Sequence, residues 1–366
     1  MNGVLKHFKS MDWLIIASSS FLFALGAISI YASSVGGNMS DFFKQMIFFA
    51  LGISVMIALS FFDWRALKEN PYFVLTLYFI GVILLLGLFV FAPEIRDVRR
   101  WYALGPISFD PVEFIRIVLI VLLAKYFSGR HAEMYKISHV VLSGIYILIP
   151  SVITFFQPDL GSAIILGFLW IGVLIVSGIK TKHFIALCMI GLLVLSLGWL
   201  FLLKDYQKVR ITAFLEPKMD PQGINWNPEQ AKIAIGSGGF LGQGIGKGSQ
   251  TQNGFLPEAK TDFVFSAIAE ELGLLGVIAI LGAFSLLFFR ILKLALRAPD
   301  NFSRLFCSGF VIMLAAQVFV NIGMNQGILP IVGIPLPFVS YGGSSLFFTF
   351  IGLGIIQSIK VSIDKF

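Results

Sequence analysis

The sequence is poor in almost everything a soluble enzyme displays. Only 13 % of its 366 residues are charged, two are cysteine and four are histidine, while mean hydropathy is +0.88. A soluble domain of this length cannot cover its surface with so few charges. Cys188 and Cys307 both stand in apolar runs, where a thiol is a small buried residue and a disulfide has no support; neither reports on redox compartment. His7, His131, His139 and His183 lack metal-ligand spacing. There is no Asp-x-Asp pair of the kind nucleotide-sugar transferases use to hold a metal. The glycine-rich stretch 236–249 is not a phosphate loop: Leu241 stands where glycine is required six residues before Lys247, and Gly248 stands where serine or threonine should follow. It is either a tightly turning loop or a ligand-facing backbone. The net charge of +7 forms no basic stripe interleaved with aromatics, which argues against a nucleic-acid partner. No internal repeat or soluble domain interrupts the chain, so residues 1–366 read as one transmembrane domain.

What the chain does have is length of apolar sequence: 57 % of it is hydrophobic. A spanning helix needs roughly 20 apolar residues, and ten such runs occur, at 13–32, 43–62, 72–92, 112–127, 137–156, 160–178, 184–203, 263–289, 305–327 and 344–359. The expected fold is an all-α polytopic membrane protein with an uncleaved first helix. The excess of Lys and Arg in alternate short segments, among them Lys6, Lys9, Arg65, Lys68, Arg130, Lys136, Lys180, Lys182, Arg290, Arg297 and Lys360, places both termini in the cytoplasm. One long hydrophilic segment, 204–262, then lies outside between spans seven and eight. The histidines fall on the opposite side, so no Ser/His/Asp relay can be assembled with it.

Charges at membrane depth are costly, so each needs a partner or a purpose. Glu113 and Arg116, three apart at the start of the fourth span, share a helix face and can pair. Pro158 and Asp159 open the sixth span, where a carboxylate in the first turn favours the helix dipole. Lys208 and Arg210 follow the seventh span, positioned for lipid headgroups or a bound diphosphate. Arg99, Arg100 and Trp101 lie on an outer loop, where the tryptophan either stacks on a sugar or anchors at the interface. Asp262, between a polar loop and a strongly apolar run, is either an N-cap for the eighth helix or a reactive group. At about 100° per residue, Glu270 and Glu271 cannot both face one cavity, and Glu270 is the better candidate for a supporting role. Residues 321–345, broken by Pro330, Pro335, Pro337 and Gly342-Gly343, read as a re-entrant or capping loop beside an aqueous cleft.

The motifs "FQPDLGSA", "IAIGSGGFLGQG", "FLPEAKTDFVFSAIAEELGLLG" and "GIPLPFVSYGGSS", in that order across ten spans, resemble the SEDS family of shape, elongation, division and sporulation proteins over essentially the whole chain, more the elongation than the division member. The resemblance implies a peptidoglycan glycosyltransferase that polymerises lipid II at the outer face of the cytoplasmic membrane. It also implies a class B penicillin-binding protein and other elongation-complex membrane proteins as partners. Carried over by position, the family's essential loop aspartate is Asp262, its fourth-span glutamate Glu113, its Gln-Pro-Asp aspartate Asp159 and its basic residue after span seven Arg210. Arg116 replaces the family's usual lysine, exchanging a point charge for a planar fork. Lys260 stands where a histidine is common and would lower the pKa of Asp262 if close. Asp262 is thus the expected catalytic base; Glu113, Arg116, Asp159, Lys208, Arg210, Trp101, Arg100, Lys260 and Ser340 form the expected substrate-contacting set. No cofactor is required beyond a possible divalent cation at the diphosphate. A lipid II flippase and a noncatalytic scaffold of the wall-synthesis complex are the competing readings.

Overall fold

In a computed structural model of the chain, the described residues are 2–34, 39–93, 100–105, 107–130, 136–202, 208–209, 212, 214 and 226–363. Ten long helices correspond to the ten apolar runs: α2 (Trp13–Ala32), α3 (Ser40–Ser60), α5 (Pro71–Phe91), α6 (Pro111–Ser128), α7 (Ile137–Phe156), α8 (Leu160–Val176), α9 (Thr181–Leu197), α12 (Val264–Arg297), α13 (Asn301–Asn325) and α14 (Gly343–Ile363). Short helices α1 (Asn2–Ser10), α4 (Arg65–Glu69), α10 (Trp226–Ser237) and α11 (Ser249–Gln252) lie before or between them. Among the described residues, eight helices are long and apolar enough to cross a membrane. The chain is a multi-pass membrane protein. The other two are α8, apolar but 17 residues long, and α6, which carries Glu113, Arg116 and Lys125. In α6 only Phe114, Lys125 and Ser128 escape burial. A helix enclosed by protein on every side can carry charges that lipid would reject.

Local chemistry sets the helix starts. Asp12, Asn70, Asp110, Asp159 and Asp300 each cap a helix with a side-chain oxygen, and prolines follow Asn70 and Asp110 at the first helical position. Asp159 is therefore itself the cap of α8, and Pro158 precedes the helix rather than opening it. Around α6 the bundle closes through α5, α13 and α14; α14 also packs along α3, and α12 against α2 and α13.

Three features depart from the sequence expectation. A two-stranded antiparallel hairpin, β1 (Tyr102–Leu104) with β2 (Ile107–Phe109), precedes α6 and pairs Tyr102 with Phe109. Helix α12 runs eight residues past the expected end, to Arg297, and breaks at Gly273 (φ 63°, ψ −156°), a conformation open to glycine alone. The glycine-rich stretch packs into that break: Gln243 and Gly244 donate to the Glu270 and Glu271 carbonyls (2.9 and 3.0 Å), and Leu274 donates to the Gly239 carbonyl (2.9 Å). A side chain at Gly238 or Gly242 would strike the α12 backbone. These glycines serve close backbone approach within the protein, not a ligand.

Candidate functional site

At the face opposite the termini, a polar cavity of about 120 Å³ opens between the hairpin, the start of α6, the approach to α12 and the irregular segment 326–342; Arg100, Trp101, Asp110, Glu113, Asp262 and Gly333 are on its wall. That volume holds several water molecules. The cavity brings Asp262, Glu113 and the adjacent pair Arg100-Trp101 together from three separate stretches of sequence.

Arg100 organises one wall. Its Nε donates to Asp110 Oδ2 at 2.8 Å and lies 3.4 Å from Asp159 Oδ2, while Nη1 donates to the Gly333 carbonyl at 3.3 Å. Burial opposes the charge on Arg100, but Asp159, Asp110 and Glu113 outweigh it and hold the guanidinium above its ordinary range. Burial also pushes the Asp110 carboxyl up; Arg100 pulls it down, yet Glu113 and Asp159 add to the rise. Behind this layer Arg116, fully buried, donates to Glu113 Oε1 at 2.6 Å and to Ser162 Oγ at 3.0 Å. Ser162 in turn donates its hydroxyl to Asp159 Oδ2 at 2.6 Å. The two arginines and three carboxylates thus form one connected network, in which Arg100, Asp110 and Glu113 line the cavity and Arg116 is fully buried behind them.

Asp262 stands on the other wall. It is partly exposed, and a Cβ built on Gly333 would lie 3.7 Å from its Oδ2. Asp262 is not an N-cap: Phe263 occupies that position, with no side-chain cap bond. The backbone around Asp262 is pinned by buried neutral groups. Asn321 and Asn325 both donate to the Asp262 carbonyl (3.0 and 2.9 Å), and Asn325 accepts from Ser266 N–H and O–H (3.2 and 2.6 Å). Ser340 donates to the Thr261 carbonyl at 2.6 Å and accepts from Leu336 N–H at 2.8 Å, so its hydroxyl braces the loop from behind and does not line the cavity. Gln45 of α3 ties the same segment down, donating to the Ser340 carbonyl and accepting from Gly342 N–H.

Lys260 pairs with Asp41 of α3, 3.1 Å away, so the cation proposed for tuning Asp262 has its own carboxylate. Glu270 is fully buried and accepts from Gln250 N–H, Thr251 N–H and the Thr251 hydroxyl (2.6, 3.1 and 2.7 Å), while Glu271 accepts from Gly246 N–H (3.1 Å). Neither lines the cavity; both hold the glycine-rich turn. Lys208 is partly exposed and lies away from the cavity wall; Arg210 lies outside the described residues. Among the described residues no group of three or more His, Cys, Asp or Glu is placed to hold a metal ion.

The site's neighbour is apolar. A groove of about 310 Å³ runs between α3, α5, α6 and α14, with Leu59, Val74, Phe114, Val118, Phe348 and Ile355 among its walls. Phe114 follows Glu113 directly, and Phe348 lies one helical turn beyond Ser344 and Ser345 of the polar cavity. Polar cavity and apolar groove therefore share the first turns of α6 and α14.

The FtsW/RodA/SpoVE family model, described as "Cell cycle protein", matches residues 10–365. The chain belongs to this family. It is 36 % identical to the peptidoglycan glycosyltransferase MrdB of Escherichia coli over 339 residues (92 % of this chain, 90 % of that one). It is also 36 % identical to a probable peptidoglycan glycosyltransferase FtsW of Geobacter metallireducens over 372 residues (97 % and 96 %). Its fold matches the rod-shape-determining protein RodA of Thermus thermophilus with TM-score 0.72 at 30 % identity, covering 96 % of each chain. It also matches a chain of a peptidoglycan synthase complex that coordinates polymerization and crosslinking, with TM-score 0.82 at 32 % identity, covering 96 % of this chain and 98 % of that one. Within the family fold, sequence reasoning had reached Asp262, Glu113, Arg100 and Trp101 but missed Asp110, Asn321, Asn325 and Gln45. Asp110 showed its capping role in the Asp-Pro pair; the amides showed only as polar residues in apolar helices, a pattern that signals interhelical hydrogen bonding without naming the partner.

Proposed function

We propose that this member of the family is a peptidoglycan glycosyltransferase that polymerises lipid II, with the cavity on the extracytoplasmic face of the cytoplasmic membrane. The observation that carries the reading is the junction of a charged cavity with an apolar groove. A lipid-linked sugar diphosphate is itself polar at one end and polyprenyl at the other, and the shared first turns of α6 and α14 would hold its boundary. The concentration of Lys and Arg on the terminus face supports the orientation.

In this reading the 4-hydroxyl of the acceptor sugar attacks the anomeric carbon of the donor. The glycosidic bond forms, the bond to undecaprenyl diphosphate breaks with its electron pair, and configuration inverts. Asp262 takes the hydroxyl proton late, as the new bond forms, since a carboxylate is a weak base toward an alcohol. Arg100, fixed by two carboxylates and the Gly333 carbonyl, orients the donor, and Trp101, whose ring centroid lies 5.7 Å from the Arg100 guanidinium carbon, offers a stacking face for a sugar. Lys208 and Arg210 are the proposed cations for the departing diphosphate, where charge-assisted contacts stabilise the negative charge that develops. Arg116 acts through Glu113, being fully buried. The match to a synthase-complex chain supports a class B penicillin-binding protein as crosslinking partner, and the RodA fold match supports a role in elongation and shape.

The test is labelled lipid II incubated with purified wild type and Asp262→Ala, each with and without a co-expressed class B penicillin-binding protein, and resolved on a gel. Polymer ladders from wild type alone are expected. Ladders from the variant at the wild-type rate would remove Asp262 from the chemistry. Absence of ladders from both proteins, with the partner present, would return the flippase reading and call for a vesicle transport assay.

A further inference from the structure

On the terminus face, α2, α12 and α14 end around a small pocket of about 40 Å³ lined by Asp12, Arg290, Lys293, Arg297 and Lys360 with Leu294 and Ile363. The carboxylate is already engaged. Asp12 Oδ1 caps α2, accepting from Leu14 and Ile15 N–H (3.1 and 3.3 Å), and its Oδ2 accepts from Arg290 Nη2 and Nε (2.6 and 3.1 Å). Buried Gln357 fixes the same residue, accepting from Asp12 N–H and donating to its carbonyl (2.9 and 3.0 Å). Asp12 and Arg290 thus form a neutral floor, and Lys293 and Arg297 of the same helix add two positive charges beside it.

A general excess of cytoplasmic Lys and Arg explains topology but not this convergence. The cations come from within two helices separated by α13, and they meet a third helix start. Their place on α12 identifies the ligand. Phe289, Leu292 and Leu296 are exposed (60 %, 41 % and 85 %). At about 100° per residue they share one arc of the helix, with Lys293, Arg297 and Arg290 on the arc beside it. Lys293 Nζ lies 5.9 Å from the Phe289 ring centroid. An anion in the pocket would therefore have lipid-facing apolar surface directly at its side.

We propose that this pocket binds the phosphate headgroup of an anionic phospholipid from the leaflet at the terminus face, with the acyl chains along Phe289, Leu292 and Leu296. Basic pockets between membrane helices on this side suit such headgroups. The proposal is independent of the glycosyl-transfer reading. It is tested by native mass spectrometry and thermal unfolding of the delipidated full chain, titrated with dioleoyl-phosphatidylglycerol, dioleoyl-phosphatidylcholine, or inorganic phosphate.

Wild type should retain one phosphatidylglycerol in preference to phosphatidylcholine and unfold at higher temperature with it. Lys293→Gln/Arg297→Gln should lower that affinity about 30-fold. Lys180→Gln/Lys182→Gln, at another site on the same face, should leave it unchanged. If the double variant does not fold, Lys293→Gln and Arg297→Gln singly should each cost about 5-fold. Equal binding of the two lipids by wild type, unaltered affinity in the pocket variants, or an equal loss in the Lys180/Lys182 control would overturn the proposal. Stabilisation by inorganic phosphate and not by phosphatidylglycerol would also overturn it, assigning the pocket to a soluble phosphate.

Discussion

Along the α6–α8 wall of the cavity the charges hold one another: Arg100 lies between Asp110 and Asp159, and Arg116 between Glu113 and Ser162. Along the facing wall, Asp262 is held through its backbone, by two asparagines and by the brace that Ser340 gives to Thr261. A carboxylate fixed by a guanidinium is oriented within the wall and already spends oxygen lone pairs there. Asp262 is pinned at its main chain, and its partly exposed side chain lines the cavity. The first wall suits binding, and Asp262, whose carboxylate reaches the cavity from a loop outside that network, is the proposed base.

This contrast predicts opposite signatures. Asp262→Asn should lower polymerisation at least about 100-fold, the lower end of what a positioned general base contributes, with no change in thermal stability. Glu113→Ala should instead destabilise the fold by about 3–5 kcal/mol, because it strands the fully buried Arg116. The sharper version is Glu113→Leu/Arg116→Met, since a buried pair replaced by apolar residues is often tolerated. Recovered unfolding temperature with activity still absent would give Glu113 a role at the substrate. Recovery of both would make the pair structural.

Much of the frame was legible because lipid imposes a simple pattern. The runs at 13–32 and 137–156 coincide with α2 and α7, and 72–92 falls one residue from α5 at each end. The reading stopped short on α12 because hydropathy ends at Arg290, whereas the helix continues to Arg297 and carries its cations into the headgroup region. It started late on α13 because the first turn there is polar and capped by Asp300. Glu113 with Arg116 was readable as an i,i+3 pair. Lys260 with Asp41 was not, since 219 residues separate them and no local spacing encodes that meeting. Asp262 looked like a cap for the same reason: cap and loop carboxylate differ by a single position, and only the backbone angles decide.

The next prediction in size concerns Arg100. Its Nε faces Asp110 and Asp159 while Nη1 holds the Gly333 carbonyl, so Arg100→Lys should keep the charge, lose the fork geometry and lower turnover at least about 10-fold. Asn325→Leu follows. It removes one of the two donors to the Asp262 carbonyl and strands the buried Ser266 donors, costing about 1–3 kcal/mol of stability. If pinning matters to the chemistry, kcat falls while substrate affinity holds.

The smallest effect should come from Lys260. Its partner Asp41 is about one-third exposed, and exposed pairs of this kind contribute roughly 0.2–1 kcal/mol. Lys260→Met should therefore scarcely alter unfolding. It should also leave the acidic limb of the pH–activity profile in place, because the ammonium lies 3.1 Å from the Asp41 carboxylate. A shift of that limb to higher pH would mean that Lys260 had been favouring ionised Asp262. The two walls would then no longer differ in kind, since the base too would be held by a charge.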